Sequence, residues 1–422
     1  FLEKFSRNPM YRYLLILGVC ASAGLQGWTA LFTNYAKEVV DVNGFQIGLS
    51  QAVREIPGFL SFAAVYLLLF LREHRLSAWS VVLLGAGITV TGIFTSFAGL
   101  LMTTFIMSVG FHFFETTNKS LTVQYFNTSE SPVVFARLRG YGALANIIIG
   151  FVIWVLSFIT TYRNTFFILG FFVIVSGVYM LSINPVNSEM PRQNKKLVFR
   201  KKYWLFYVLN FLAGTRRQIF TVFAIFLLVE QYGLGLRIVT GIYVINYALT
   251  YLLNPQISRA LNKYGERIVL SLESASLIVL FLGYAFINNV WVVVGLFILD
   301  SIFFNFSIGL NTYLQKTADP KDLGSSTAVG FTINHISAVI IPLFGGMLWM
   351  LNWRLPFLVG TGFSILSLVF TQMISTGYHH RSDSYSFLAG AGRLITGKGI
   401  KATGVVNKVP AGEKKLRNKL RN

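Results

Sequence analysis

The chain has 422 residues, of which 54% are hydrophobic, 15% aromatic and only 12% charged, and its mean hydropathy is +0.60. A soluble domain carries roughly 25% charged residues, so there is too little polar surface here to coat a globule, and lipid is the solvent for most of the chain. The 36 Lys and Arg against 16 Asp and Glu leave a net charge of +20, and the single cysteine, Cys20, excludes a disulfide scaffold.

The first twelve residues are basic and lead directly into an apolar run of full membrane length, which reads as a first span and not as a cleavable signal. A helix needs about 20 mostly apolar residues to cross the hydrocarbon. Twelve such runs follow in order: 11–34, 46–71, 77–97, 99–124, 133–160, 165–183, 203–229, 237–258, 268–287, 289–315, 323–350 and 354–376. An even count puts both termini on one side. The termini and the loops after even-numbered spans hold 28 Lys and Arg, whereas the other loops hold four: Lys37, Arg163, Arg237 and Arg354. Short-loop Lys/Arg bias sets topology, so both termini are expected to be cytoplasmic, in a plasma membrane of the bacterial inner-membrane kind. That asymmetry also assigns the surplus charge to loop orientation and to anionic lipid, and not to nucleic acid.

A polar segment with Pro185 and Pro191 divides the spans six and six. The expected organisation is an N-terminal six-helix bundle (1–184), a cytoplasmic linker (185–202), a C-terminal six-helix bundle (203–377) and a basic cytoplasmic tail (378–422). The fold class is therefore all-α integral membrane, with twelve transmembrane helices as two pseudo-symmetric bundles. The Gly- and Lys-rich tail reads either as a disordered or membrane-skimming segment or as a partner-binding one. Gly392, Gly397 and Lys398 have phosphate-loop spacing, but Gly399 stands where the metal-binding Ser or Thr belongs and no strand precedes it.

Charged and polar residues inside spans are costly and mark function or buried pairs. Span seven carries Arg216 and Arg217 about 20 Å from its start at 1.5 Å per residue. Asn210, Gly214, Arg217 and Thr221 form a polar stripe, while Arg216 shares its face with Leu209, Leu212 and Phe220. Arg217 is therefore assigned to a cavity and Arg216 to a packed partner or gate, with both retained as substrate-binding candidates. In span four His112, Glu115 and Lys119 share a helix face. Glu115 reads as a proton carrier beside a gating Lys119, or else the two are a buried ion pair. Gln26, Asn146, Asn246, Asn305, Asn334 and His335 lie at comparable depth and complete the substrate-binding candidates. Asp300 and Glu55 are further proton-coupling candidates, and Arg54 reads as a gate or as a local partner of Glu55. Glu230 and Glu273 fall near span ends and are expected to be solvated.

The loop Asn262, Lys263, Tyr264, Gly265, Glu266, Arg267 resembles the loop signature of the major facilitator superfamily, and the likeness extends over roughly residues 5–377. The corresponding first-half loop, Leu71 to Arg75, lacks the Gly and Asp of that signature. The resemblance implies gating roles for Asn262, Lys263, Gly265 and Arg267, and a substrate site between two bundles. Drug–proton antiporters of that superfamily carry a Gly- and Pro-rich motif in span five. Here the run Pro342, Gly345, Gly346 lies in span eleven instead. No metal spacing, nucleophile–base set or cofactor motif is legible. The expected function is secondary active transport of a small organic anion or zwitterion by alternating access, coupled to protons. The alternatives are efflux of an amphiphile, lipid or drug, suggested by 39 Phe, and a non-transporting receptor or scaffold acting through the basic tail.

Overall fold

The computed structural model describes residues 8–60, 67, 70–126, 130–186 and 200–375. Those residues are helical and contain no strand. Eleven continuous helices follow one another: α1 Pro9–Glu38, α2 Gly44–Phe59, α3 Glu73–Thr91, α4 Phe97–Tyr125, α5 Ser131–Ile159, α6 Tyr162–Leu181, α7 Lys201–Glu230, α8 Leu236–Phe286, α9 Val290–Thr317, α10 Pro320–Leu351 and α11 Leu355–Thr371. Asn8, Asn43, Ser96, Thr161 and Asn289 start α1, α2, α4, α6 and α9, each accepting a first-turn backbone N–H on its side-chain oxygen. Eight of the described helices are long and apolar enough to cross a membrane. The far half of the second expected span, the linker from 187 to 199 and the tail from 376 lie outside the described residues.

Spans eight and nine, expected as separate helices, are two helices that follow one another without an intervening loop, so that Leu236–Phe286 is a 51-residue helical stretch broken at Gly265. A straight helix of that length would reach about 77 Å, far beyond a bilayer of about 40–45 Å. The element instead folds back at Gly265, whose φ of 80° and ψ of 167° lie outside the helical region and suit a residue without Cβ. The two ends consequently meet: Tyr232, just before the element, donates from its hydroxyl to the Ile287 carbonyl at 3.0 Å.

At the end of the molecule carrying Asn43, the first six helices are fastened to the last five. Asn34 donates to the Leu234 carbonyl at 2.9 Å and Arg237 to the Ser157 carbonyl at 3.3 Å. Glu230 is not a free surface carboxylate, as its position near a span end suggested: it accepts from Trp349 Nε1 at 2.7 Å and lies 3.9 Å from Lys37 Nζ. Helices α2 and α10 cross here almost backbone to backbone. A Cβ on Gly48 would strike the Pro342 carbonyl, and one on Gly346 would lie 2.7 Å from the Gly44 carbonyl. The Pro342–Gly346 run thus serves close helix approach.

The opposite end holds the superfamily-like loop. Glu266 is buried and paired with Lys316 at 2.6 Å, and Arg267 donates to Gln372 at 3.2 Å. Lys263 stacks over the Tyr264 ring at 4.9 Å, and Asn262 is exposed. These contacts tie the turn of α8 to α9 and α11. At the start of α10, Asp322 receives Lys202 at 3.0 Å and Arg200 at 3.2 Å, and the Lys202 ammonium holds its carboxyl below the usual carboxylate range.

Candidate functional site

Near the middle of the helices, α2, α4, α7 and α10 bring charged side chains together. Arg54 and Glu55, adjacent on α2, form an ion pair at 2.7 Å. The other Glu55 oxygen lies 3.1 Å from Nδ1 of His335 on α10. This contact joins residues 280 apart in sequence, one from each half of the chain. The His335 ring meets the His112 ring of α4 edge-on, with centroids 5.2 Å apart. From His112 the series continues along α4: Glu115 lies 3.8 Å from its Nδ1, and Lys119 closes on Glu115 at 2.8 Å. Lys119 then sits 4.2 Å over the ring of Phe331, which in turn abuts His335. Ser108, one turn before His112, donates to the Arg54 carbonyl.

Both imidazoles fit because Gly58 stands beneath them. A Cβ there would lie 2.7 Å from a ring atom of each. Helix α7 adds Arg217, whose Nη2 donates to Asn334 Oδ1 at 2.5 Å. The stripe of Asn210, Gly214 and Arg217 faces α10: Asn210 stands over Gly330, and Gly214 lies under Asn334 and Ser337. Directly after Arg217 the helix widens into a π segment, Ile219–Ala224, a device that frequently marks functional positions. Counting imidazoles as neutral, three cations (Arg54, Lys119, Arg217) face two anions (Glu55, Glu115). The network carries one surplus positive charge.

Arg54 also reaches a cavity of about 210 Å³. Its walls come from α1, α2, α7, α8 and α9, and aromatic rings dominate them: Trp28, Phe32, Phe220, Tyr243, Tyr247 and Phe297. Gln51, Asn246, Ser301 and three threonines (Thr29, Thr33 and Thr221) add polar groups. The cation on the cavity wall is thus Arg54; Arg217 stands one helix face away, in contact with Asn334. The aromatic lining was not singled out in the sequence, where Phe and Tyr abound in every span. The pair Tyr243 and Tyr247, stacked one turn apart, is the signal that periodicity offered.

Several sequence candidates lie elsewhere. Arg216 points away from the cavity and pairs with Glu273 at 3.2 Å, both almost fully buried. Glu273 is accordingly not a solvated span-end residue: the fold-back at Gly265 carries it inward against α7. Asp300 is buried near this second pair, so it does not share a site with Glu115. Asn305 donates to the Ser301 carbonyl at 2.7 Å and serves the local 3₁₀ turn. Gln26 and Asn146 are partly buried and outside the cavity wall.

A membrane-length helical bundle with a charged network and a cavity between its two halves defines a transporter architecture. The chain belongs to the major facilitator superfamily, whose profile matches residues 14–342 and 207–391. No curated protein matches the sequence. Among solved structures, the nucleoside transporter NupG is similar at 16% identity and TM-score 0.66, covering 86% of this chain and 98% of that one. A bacterial homologue of the iron transporter ferroportin, in an inward-facing state, is similar at 14% identity and TM-score 0.69, over 86% and 98% of the two chains. A POT family transporter in complex with 5-aminolevulinic acid is similar at 12% identity and TM-score 0.70, over 86% and 95%. At these identities the likeness defines the fold.

Proposed function

We propose that this protein is a secondary active transporter that moves a small organic anion or zwitterion by alternating access, coupled to protons. Two six-helix bundles, 1–184 and 203–377, rock about the central cavity, and each leg of α8 crosses the bilayer separately, for twelve crossings in all. The end with Gly265 and most loop Lys and Arg faces the cytoplasm, in keeping with the positive-inside bias.

The observation that carries the anion reading is the surplus positive charge of the Arg54–Glu55–His335–His112–Glu115–Lys119–Arg217 network beside the cavity. The Glu115–Lys119 pair is partly exposed and balances itself, but at the more buried end Arg54 and Arg217 face Glu55 alone. An unbalanced buried cation is costly, and an anionic substrate near Arg54 relieves it. Arginine suits that role because its planar fork grips a carboxylate or phosphate at two points. Glu55 couples to the cycle because it bridges the halves. While it holds His335 at 3.1 Å the α2–α10 contact is closed, and protonation of Glu55 weakens that hold.

The test is a thermal-shift screen of purified protein against matched metabolite acids and their amides or alcohols. Stabilisation should follow the one-site linkage relation for acids alone, and Arg54→Gln should remove it. Equal stabilisation by a neutral analogue and its acid, or an unchanged response in Arg54→Gln, would overturn the anion reading.

A further inference from the structure

A second group of buried charges stands apart from the cavity network. Arg216 of α7 is 4% exposed and Glu273 of the second α8 leg 2% exposed, with Nη2 and Oε1 3.2 Å apart. Asp300 of α9 is 1% exposed. Arg216 is the cation that acts on both carboxyls, and Tyr284 of α8 stands beside Asp300. If both carboxyls are ionised, this group carries one surplus negative charge. Its geometry is also incomplete. Oε2 of Glu273 lacks a hydrogen-bond partner, and the buried Tyr284 hydroxyl and Asp300 Oδ2 have no partner of good geometry beyond each other. Arg216 spends its remaining donors on Ser274 and the Leu212 carbonyl, both at 3.4 Å.

An unpaired buried carboxylate is among the most expensive groups a protein can hold. A metal cation is a poor remedy here, since hard cations ask for about six or more oxygen ligands and the Arg216 guanidinium stands inside the group. A proton removes the surplus without a cage. It goes to Asp300, because Glu273 already has Arg216.

We propose that Asp300 is a proton-carrying site in the second half of the chain, with Arg216 and Glu273 as its charge-balancing pair and Tyr284 as its hydrogen-bonding neighbour. The proposal rests on the transporter reading above. On this reading the Asp300 carboxyl carries the proton in the present arrangement. On release the proton passes to bulk water on one side, and the carboxylate left behind turns to Arg216, which it shares with Glu273. Reloading takes a proton from bulk water on the other side and returns Arg216 to Glu273. This site lies within the second half and is additional to Glu55, which acts between the halves.

Infrared difference spectroscopy of the purified full-length protein tests this without any substrate, so its outcome is independent of whether the anion reading holds. The carboxylic acid C=O band should persist at neutral pH in the wild type and in Glu55→Gln, and disappear in Asp300→Asn. Tyr284→Phe should keep the band but shift it, which covers the case in which Asp300→Asn fails to fold. Absence of the band in the wild type, its survival in Asp300→Asn, or an unmoved band in Tyr284→Phe would overturn the proposal. Loss of the band on replacing choline chloride by sodium chloride would also overturn it, by showing that a sodium ion takes the place of the proton.

Discussion

Replacing Glu273 by Gln keeps the shape of the side chain and removes one charge, which leaves Arg216 buried with no ionised partner as long as Asp300 keeps its proton. Both partners are almost completely buried, at 4% and 2% of their side-chain surface, so solvent screening does little to soften the loss. Breaking such a pair from one side costs about 3–5 kcal/mol. The residual partners of Arg216, Ser274 Oγ and the Leu212 carbonyl, are at 3.4 Å, too long to compensate. At about 2–4 °C per kcal/mol, a slope for domains smaller than this chain, Glu273→Gln should lower the melting temperature in detergent by several degrees. Fluorescence-detected size exclusion after heating measures it. Removing both partners tells a different story, because a buried pair replaced by apolar residues of similar volume is often neutral or stabilising. Arg216→Met/Glu273→Leu should therefore recover most of the loss. A wild-type melting temperature for Glu273→Gln would refute the reasoning, as would a double variant no more stable than the single one.

Gly58→Ala would place a methyl group 2.7 Å from His112 and His335 ring atoms; overpacking of this kind costs about 1–3 kcal/mol. Its chief effect should be to part His335 from Glu55, so uptake into proteoliposomes should fall at least several-fold while the monodisperse elution peak survives. Unchanged uptake would mean the histidine pair is not tightly seated. Asp322→Asn should free the Lys202 and Arg200 contacts at the start of α10. The Asp322 carboxyl sits below its ordinary value through Lys202, so its contribution is complete above the unfolded carboxylate value of about 3.9 and is lost as pH falls through the folded value. The stability gap between Asp322→Asn and wild type should accordingly be flat from pH 8 to 5 and close on further acidification; a gap that widened in acid would contradict the ion pair. For orientation, single cysteines at Asp41 and Lys263, both exposed, in a Cys20→Ser background should label from outside and inside cells respectively, and the reverse pattern would invert the proposed topology.

Much of this protein was legible without coordinates because the bilayer imposes so coarse a constraint. Apolar runs of membrane length and the skew of Lys and Arg among loops are one-dimensional properties, and the apolar runs suffice for an all-helical membrane protein. The contrast between Arg216 and Arg217 was also local: a rotation of about 100° along one helix separates the stripe with Asn210 and Gly214 from the face with Leu212. Which partners those faces meet was not local. Glu273 looked like a surface carboxylate because its span seemed to start close by. Only the fold-back of α8 at Gly265 turns it against Arg216. Glu55 and His335 lie 280 residues apart, and no periodicity relates them. Their contact depends on α2 and α10 approaching almost to van der Waals distance over Gly48, Pro342 and Gly346. The balance of charge is likewise a tertiary property. Along the chain these residues are a scatter of costly intramembrane charges, whereas packing sorts them into one group with a surplus cation and another with a surplus carboxylate, since electrostatic neutrality is settled among neighbours in space and not in sequence.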